Sequence, residues 1–167
     1  CKRDIPFLKK YDTKIIVNVC GHAPEEYLAV VERLADEPID MMEINISCPN
    51  VNAGFLAFGQ DAKHVEELTA QIKKIAKQPV IMKLSPNVTD ITETAKAAEA
   101  GGANALSLIN TLLGMRIDIK TKRPILHNNC GGLSGPAVFP VALRMVWQVR
   151  NAVSLPILGM GGISSAE

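Results

Sequence analysis

Two kinds of hydrophobic pattern alternate along the chain. Short, continuously apolar runs rich in β-branched residues predict strands at residues 14–19, 42–46, 80–84, 105–109 and 156–159. Longer stretches with an apolar residue every three or four positions lie between them and predict amphipathic helices. The chain is therefore predicted to repeat a strand–helix unit.

The predicted helices have recognisable start and stop signals. The first, residues 24–35, has Pro24 in its first turn, and the second, residues 62–76, follows Asp61 as its N-cap. A third begins at the capping-box pattern of residues 90–93 and ends at a pair of glycines. A fourth covers residues 139–149.

Apolar strands that alternate with helices predict a parallel sheet, either doubly wound or closed as a (β/α)8 barrel. A polar residue or glycine at or just beyond the carboxyl end of each strand favours the barrel, because barrels collect ligand groups there. These positions are Asn18, Asn45, Lys83, Asn110 and the pair Gly161 and Gly162. We predict one domain over residues 1–167, an α/β fold that is a partial TIM barrel with about five of eight strands and one shared site.

The strand–helix alternation is interrupted between Thr111 and Pro136. Residues 115–119 and 122–126 have the pattern of a β-hairpin, which we expect as an insertion over the barrel mouth at about residues 112–130. The glycine-rich segment 131–136 predicts a flexible loop. Cys130 is assigned to that loop, where we expect no neighbour that would make it a base.

Composition narrows the possible functions. With 47% hydrophobic and 21% charged residues, the chain has the composition of a globular domain. The 18 basic and 17 acidic residues form no basic run, so nucleic acid is not an expected partner. The four cysteines lack metal-ligand spacing, so no metal site is predicted and reduced cytoplasmic thiols are expected. We find no membrane span or secretory signal, and because the chain starts at Cys1 we interpret it as part of a longer protein.

The most informative segment is residues 43–50, where a strand ends in two amides and a thiol. Pro49 ends the strand directly after Cys48. Since an ordinary thiol has a pKa of about 8.5 that nearby donors lower easily, Cys48 can act as a base. Asn45 and Asn50 would suit a planar ligand rich in carbonyl groups. Taken alone, Cys48 would more often be a small buried hydrophobe and the asparagines turn residues.

Lys83 and the last glycines carry further signals. A lysine within the apolar run 80–84 would be buried, and a buried ammonium is costly unless it meets an anion or several acceptors. Gly161 and Gly162 lie at a strand-to-helix junction, where backbone amides can hold a phosphate. Structural alternatives stay open: a tight turn for the glycines, a loop contact for Asn18 and a turn for Asn110.

Five ordered motifs together carry a family resemblance: residues 45–51 with 58–59, 82–90, 109–112, 131–136 and 159–162. From about Ile15 onward the chain resembles the catalytic subunit of class 1 dihydroorotate dehydrogenase. The quinone-using class has serine where this chain has Cys48. Residues 84–90 and 114–121 resemble the NAD-linked class 1B rather than the fumarate-using form.

The resemblance implies an FMN-dependent oxidation of dihydroorotate to orotate in pyrimidine (UMP) biosynthesis. It makes Cys48 the base that takes the proton from substrate C5 while C6 gives hydride to FMN. Substrate contacts are implied for Asn45, Asn50, Asn110 and Thr111. FMN contacts are implied for Asn18, Asn45, Lys83, Ile109, Gly135, Gly161 and Gly162.

The resemblance also implies a homodimer within a heterotetramer, in which a partner subunit with FAD and [2Fe-2S] passes electrons to NAD. Three of the eight strands expected of such a barrel are absent, and residues 128–130 depart from the family pattern. Two alternatives stay open. One is the FMN domain of a dihydropyrimidine dehydrogenase, which shares the S-C-P motif but usually differs at residues 50–53. The other is a catalytically silent partial barrel.

Overall fold

The computed structural model describes residues 1–47 and 58–166. Its centre is a parallel sheet of five strands, with two short antiparallel pairs beside it. In chain order the elements are α1 (Asp4–Leu8), β1 (Ile16–Val19), α2 (Pro24–Leu34), β2 (Met41–Asn45), α3 (Ala62–Ile75), β3 (Val80–Lys83), α4 (Ile91–Ala100), β4 (Ala105–Leu108), β5 (Leu112–Met115), β6 (Ile117–Asp118), β7 (Arg123–Pro124), β8 (Cys130–Leu133), α5 (Phe139–Arg150) and β9 (Ile157–Gly159).

The predicted strands and helices are confirmed, with ends that differ from prediction by one or two residues. Asp61 and Asp90 are the N-caps of α3 and α4, and each carboxylate accepts a backbone N–H from the first turn of its helix. Helix α1 was not predicted, because five residues with a single buried side chain, Ile5, are too short to show a helical period. Across residues 1–47 and 58–166, no helix combines the length and the apolar character needed to cross a membrane.

One face of the sheet is apolar and covered by helices. Successive side chains of a strand point to opposite faces, so every second residue contributes to this one. Its members in the middle strands are fully buried: Met42, Ile44, Val80, Met82, Leu106 and Leu108. Helices α2, α3, α4 and α5 pack against one another in chain order over the sheet. This layer is the hydrophobic core.

The opposite face, which we call the open face, carries the polar residues Asn18, Glu43, Asn45, Lys83 and Ser107. The strand register places Asn18 beside Glu43, and Lys83 between Asn45 and Ser107. Only Ser107 among them is fully buried. The predicted convergence of polar groups therefore falls on one face, towards the carboxyl edge of the sheet.

The strand order argues against the doubly wound alternative. A doubly wound sheet reverses its order at a switch point and carries helices on both faces. Here the order is β1, β2, β3, β4, β9, the same as in the chain, and each helix packs on the next. This arrangement agrees with a segment of a barrel.

The excursion between β4 and α5 differs from the prediction in two ways. The predicted hairpin contains only the two-residue ladder of β6 with β7, and a longer antiparallel pair, β5 with β8, forms its base. The predicted glycine loop is wrong for residues 131–133, because Gly131 and Gly132 are part of β8. A side chain at Gly132 would collide with Thr111. Gly132 therefore allows β8 to lie close to Thr111, and it does not mark a loop.

Candidate functional site

The predicted site residues in the described part of the chain meet at one edge of the sheet. Asn18 is the penultimate residue of β1, and Asn45 and Lys83 end β2 and β3. Asn110 and Gly161 each lie two residues beyond the end of a strand, β4 and β9 respectively. Because all five strands are parallel neighbours, these ends share the carboxyl edge. The prediction that these five residues share one rim is confirmed, and the predicted position of Cys48 above that rim lies outside the described residues.

Glu43 links the first and fourth strands of the sheet across the open face. The Asn18 amide donates to Glu43 Oε2 at 2.5 Å, and the buried Ser107 hydroxyl donates to Glu43 Oε1 at 2.7 Å. A carboxylate that receives two donors is held in one orientation. Glu43 therefore ties β1, β2 and β4 together near their carboxyl ends.

Asn45 is held on both sides. Its Oδ1 accepts the backbone N–H of Ser47 at 3.2 Å and the Ser47 hydroxyl at 2.8 Å. Its Nδ2 donates to Cys20 Sγ at 3.6 Å, and the Cys20 thiol donates to Asn18 Oδ1 at 3.2 Å. The buried Tyr27 hydroxyl donates to the Asn45 carbonyl at 2.8 Å, which joins this strand end to α2. The two predicted asparagines are thus connected through Cys20.

Lys83 lies on the open face but is less buried than predicted. It is the last residue of β3 and is half-buried rather than enclosed within the sheet. Among the residues that the structure describes, its side chain has no hydrogen bond or ion pair. An ammonium that has no partner among those residues is available to an anionic ligand.

Asn110 and Thr111 follow β4 and border the same rim. Asn110 Nδ2 donates to the Ser47 carbonyl at 3.3 Å. Asn87 Nδ2 donates to the Thr111 carbonyl at 3.1 Å, and Asn87 Oδ1 accepts the Leu113 N–H at 2.9 Å. Asn87 therefore fixes the start of the excursion against the loop after β3.

The glycines that are predicted to contact a ligand through their backbone also lie near one another. Gly162, with φ of 73°, lies so close to Gly135 that an added Cβ would stand 2.6 Å from the Gly135 carbonyl oxygen and 2.9 Å from the Phe139 nitrogen. Gly135 has φ of 98°, and a Cβ there would meet no atom of the described residues within 4 Å. The neighbouring Gly161 approaches the side chain of the buried Ile109. These glycines lie beside the first residue of α5.

Two predicted site residues, Cys48 and Asn50, lie outside the described residues. Cys130, predicted to have no role, is exposed at the start of β8. Within the described ranges 1–47 and 58–166, no group of three His, Cys, Asp or Glu side chains is placed to hold a metal ion.

Sequence reasoning missed Glu43, Ser107 and Asn87. Glu43 had a detectable signal, since it is a charged residue within an apolar strand and stands two positions before Asn45 on the same face. Ser107 is a small hydroxyl residue in a buried strand and gave no such signal. Asn87 lay in a motif already noted, but its bonds to the excursion depend on the folded arrangement.

A parallel sheet with helices on one face and polar groups at the carboxyl ends of its strands is typical of ligand-binding α/β proteins of the barrel type. Comparison with known proteins agrees and is more specific. The family model described as dihydroorotate dehydrogenase matches residues 2–167. The chain belongs to the dihydroorotate dehydrogenase family.

Individual relatives point to one branch of that family. The chain is 64% identical to the dihydroorotate dehydrogenase B (NAD(+)) catalytic subunit of Lachnoclostridium phytofermentans over 166 residues, which cover 99% of this chain and 55% of the relative. The subunit of the same name from Alkaliphilus metalliredigens is 61% identical, with the same coverage of both chains. That from Geobacillus sp. (strain WCH70) is 53% identical, over 99% of this chain and 53% of the relative. The chain thus spans about half the length of the curated relatives it matches.

Proposed function

We propose that the full-length protein containing this chain is the FMN-dependent catalytic subunit of a class 1B dihydroorotate dehydrogenase, which oxidises dihydroorotate to orotate in pyrimidine biosynthesis. The observation that carries the proposal is the convergence of Asn18, Asn45, Lys83 and Asn110 on one rim. The names of the relatives support the same activity. The (β/α)8 barrel is completed, in this proposal, by strands outside these five.

The residues at the rim fit FMN. The ring edge of a flavin carries carbonyl oxygens and ring nitrogens, which match the amides of Asn18 and Asn45 and the ammonium of Lys83, which has no partner among the described residues. The backbone of Gly135 is open to a ligand, and it adjoins Gly162 at the start of α5. Helix starts and glycine backbones are common phosphate sites, so this side would take the phosphate.

Each proposed contact has a chemical role. When bound, FMN supplies the acceptor for hydride. Lys83 stabilises negative charge on the flavin side, where a fixed cation is most effective in a partly desolvated site. The backbone around Ile109, Gly161 and Gly162 shapes the cofactor cavity. The Leu108–Ile109 peptide bond is cis.

Substrate would be held by Asn45, Asn50, Asn110 and Thr111, whose amide and hydroxyl groups suit a carboxylate and ring amides. We propose that the Cys48 thiolate takes the C5 proton while hydride leaves C6, so that a C5–C6 double bond forms. A well-placed general base contributes roughly 10²- to 10⁴-fold in rate. The thiol has the acidity for this role at neutral pH, whereas a serine hydroxyl would need much stronger activation.

Electrons would pass to NAD through a partner subunit that holds FAD and [2Fe-2S], within a cytoplasmic heterotetramer built on a homodimer. The printed names of the relatives, which specify NAD(+) and a catalytic subunit, support a division of labour between subunits. No observation favours the dihydropyrimidine dehydrogenase alternative, and the relatives above are named otherwise.

Rapid-mixing reduction of the flavin in the full-length protein tests this function. We expect dihydroorotate to bleach the bound flavin and dihydrouracil to leave it oxidised. Cys48→Ala should retain FMN but slow the bleaching by about 100-fold or more, as loss of a general base predicts. The exposed Cys130→Ala is the matched control and should react as the wild type does.

Three results would contradict the proposal. Absence of bound flavin would indicate a silent scaffold. Bleaching by dihydrouracil in preference to dihydroorotate would indicate the other pyrimidine enzyme. A Cys48→Ala protein whose flavin is reduced as fast as that of the wild type would show that Cys48 is not the base.

A further inference from the structure

A row of hydrogen bonds runs through the rim from the end of β2 to β4, and every bond in it is directed towards Glu43. From one side the donors and acceptors in order are Ser47 to Asn45, Asn45 to Cys20, Cys20 to Asn18, and Asn18 to Glu43. From the other side Ser107 donates to Glu43. The Glu43 carboxylate is therefore the point at which the row ends.

In the longer part of the row, from Ser47 to Glu43, the groups at the two ends fix the direction of every hydrogen bond. The Glu43 carboxylate only accepts hydrogen bonds, so Asn18 must present its NH₂ group to it and its oxygen to Cys20. At the other end the Ser47 backbone N–H only donates, so Asn45 must present its oxygen to Ser47 and its NH₂ group to Cys20. The Cys20 thiol joins the two halves because sulfur can donate and accept.

The two asparagines differ in what holds them. Asn45 is oriented by a backbone group that no substitution at Glu43 alters. Asn18 is exposed, and its NH₂ group is bonded to Glu43 alone among the described residues. A side chain at position 43 that can also donate would therefore allow the Asn18 amide to turn over and would leave the orientation of Asn45 unchanged.

We propose that Glu43 is a positioning residue that acts through Asn18: its carboxylate sets which end of the Asn18 amide the cofactor meets. The inference rests on the proposed function for the identity of the cofactor, and on the hydrogen-bond row alone for the orientation of the amide. Glu43 itself is engaged with Asn18 and Ser107 and is not assigned a contact with the ligand.

Glu43→Gln is the sharpest perturbation. The carbonyl oxygen of the new side chain can still accept from the Ser107 hydroxyl, so the buried serine keeps its partner. This orientation is favoured because the buried Ser107 hydroxyl has no other acceptor among the described residues. The new NH₂ group then faces the NH₂ group of Asn18, and two donors repel. Asn18 relieves the conflict by turning over, which places its NH₂ group on the Cys20 sulfur and its oxygen on the NH₂ group of the substituted side chain.

The reversal has two measurable consequences in the full-length protein. FMN affinity should fall about 10- to 100-fold, because an amide that offers the wrong atom leaves a polar group unpaired. Alkylation of Cys20 by iodoacetamide in flavin-free protein, followed by peptide mass spectrometry at a fixed pH, should become severalfold faster, because a donor on the sulfur favours the nucleophilic thiolate. The exposed Glu32→Gln removes the same charge away from the rim and should change neither quantity.

A double-mutant cycle with Asn18→Ala separates positioning from a general structural role. If Glu43 acts through Asn18, Glu43→Gln should have little further effect on FMN affinity or on Cys20 alkylation in the Asn18→Ala protein. Additive effects, or a Glu43→Gln protein with wild-type affinity and alkylation, would overturn the inference. Should the wild type fail to bind FMN, the proposed function would fall, and the alkylation cycle would still decide the role of Glu43.

Discussion

Gly162→Ala probes the contact that brings the proposed phosphate side together. The added Cβ would stand 2.6 Å from the Gly135 carbonyl oxygen, 2.9 Å from the Phe139 nitrogen and 3.0 Å from the Phe139 Cβ. Two of these atoms belong to the backbone, so no side-chain rotation relieves the overlap. The residue also has φ of 73°, a conformation in which a side chain is strained.

The two costs can be estimated separately. A left-handed backbone conformation costs a residue with a side chain roughly 1–2 kcal/mol, and forcing extra volume into a packed region costs typically about 1–3 kcal/mol. We therefore expect Gly162→Ala to lower the free energy of unfolding of the full-length protein by about 2–5 kcal/mol, measured by urea denaturation.

Gly102→Ala is the matched control. Gly102 also has a positive φ, 89°, but within the described part of the chain a Cβ there would meet only Lys73 Cγ at 3.7 Å, an ordinary contact. It lies at the end of α4, away from the rim, and should lose only the conformational part, about 1–2 kcal/mol. The difference between the two variants isolates the collision with Gly135 and Phe139.

The functional expectation follows from the same geometry. The backbone at Gly135 and Phe139 must shift to accept the methyl group, so Gly162→Ala should weaken FMN binding while Gly102→Ala should not. If the two variants lose equal stability and retain equal FMN affinity, the close approach of Gly162 to Gly135 cannot organise the site.

Two further predictions concern charge. Lys83→Ala should weaken FMN binding and lower the flavin reduction potential, measured by dye equilibration, because the reduced ring loses its neighbouring cation. The exposed Lys63→Ala is the control and should leave the potential unchanged. Equal potentials in both variants would show that Lys83 does not lie beside the flavin. The Thr92 N–H holds the pKa of Asp90 below its ordinary value of 3.8. The folded state therefore gains stability from the carboxylate above that value and loses it as the pH falls through the lower folded pKa. Asp90→Asn should unfold with a shallower pH dependence between about pH 5 and pH 2, monitored by circular dichroism, and a slope equal to that of the wild type would contradict the assignment.

Much of the fold could be predicted because the determining signals are local. The apolar runs at β2 and β3, and the caps Asp61 and Asp90, act through a few neighbouring residues. Strand ends were placed one or two residues off, because an apolar run can continue, still buried, past the last paired residue of a strand. Leu84 is such a residue: it is fully buried but lies just beyond β3.

The excursion was the least predictable element. Gly131 and Gly132 have the composition of a loop, yet they pair in β8 because Gly114 and Leu113 of β5 lie opposite them. Pairing of this kind depends on a partner strand elsewhere in the chain, so it cannot be predicted from local composition.

The sequence by itself determined which residues stand at the strand ends, and a parallel sheet then requires those ends to share one edge. Only the tertiary structure decided how they are oriented there. The bond between Ser107 and Glu43 joins residues 64 positions apart, and that between Asn18 and Glu43 joins residues 25 apart. Such bonds depend on the register of neighbouring strands, which the backbone ladder and the packed helices set together. The physical reason is that strand formation is a local property of the chain, whereas the orientation of an amide is settled by whichever donor or acceptor the fold places beside it.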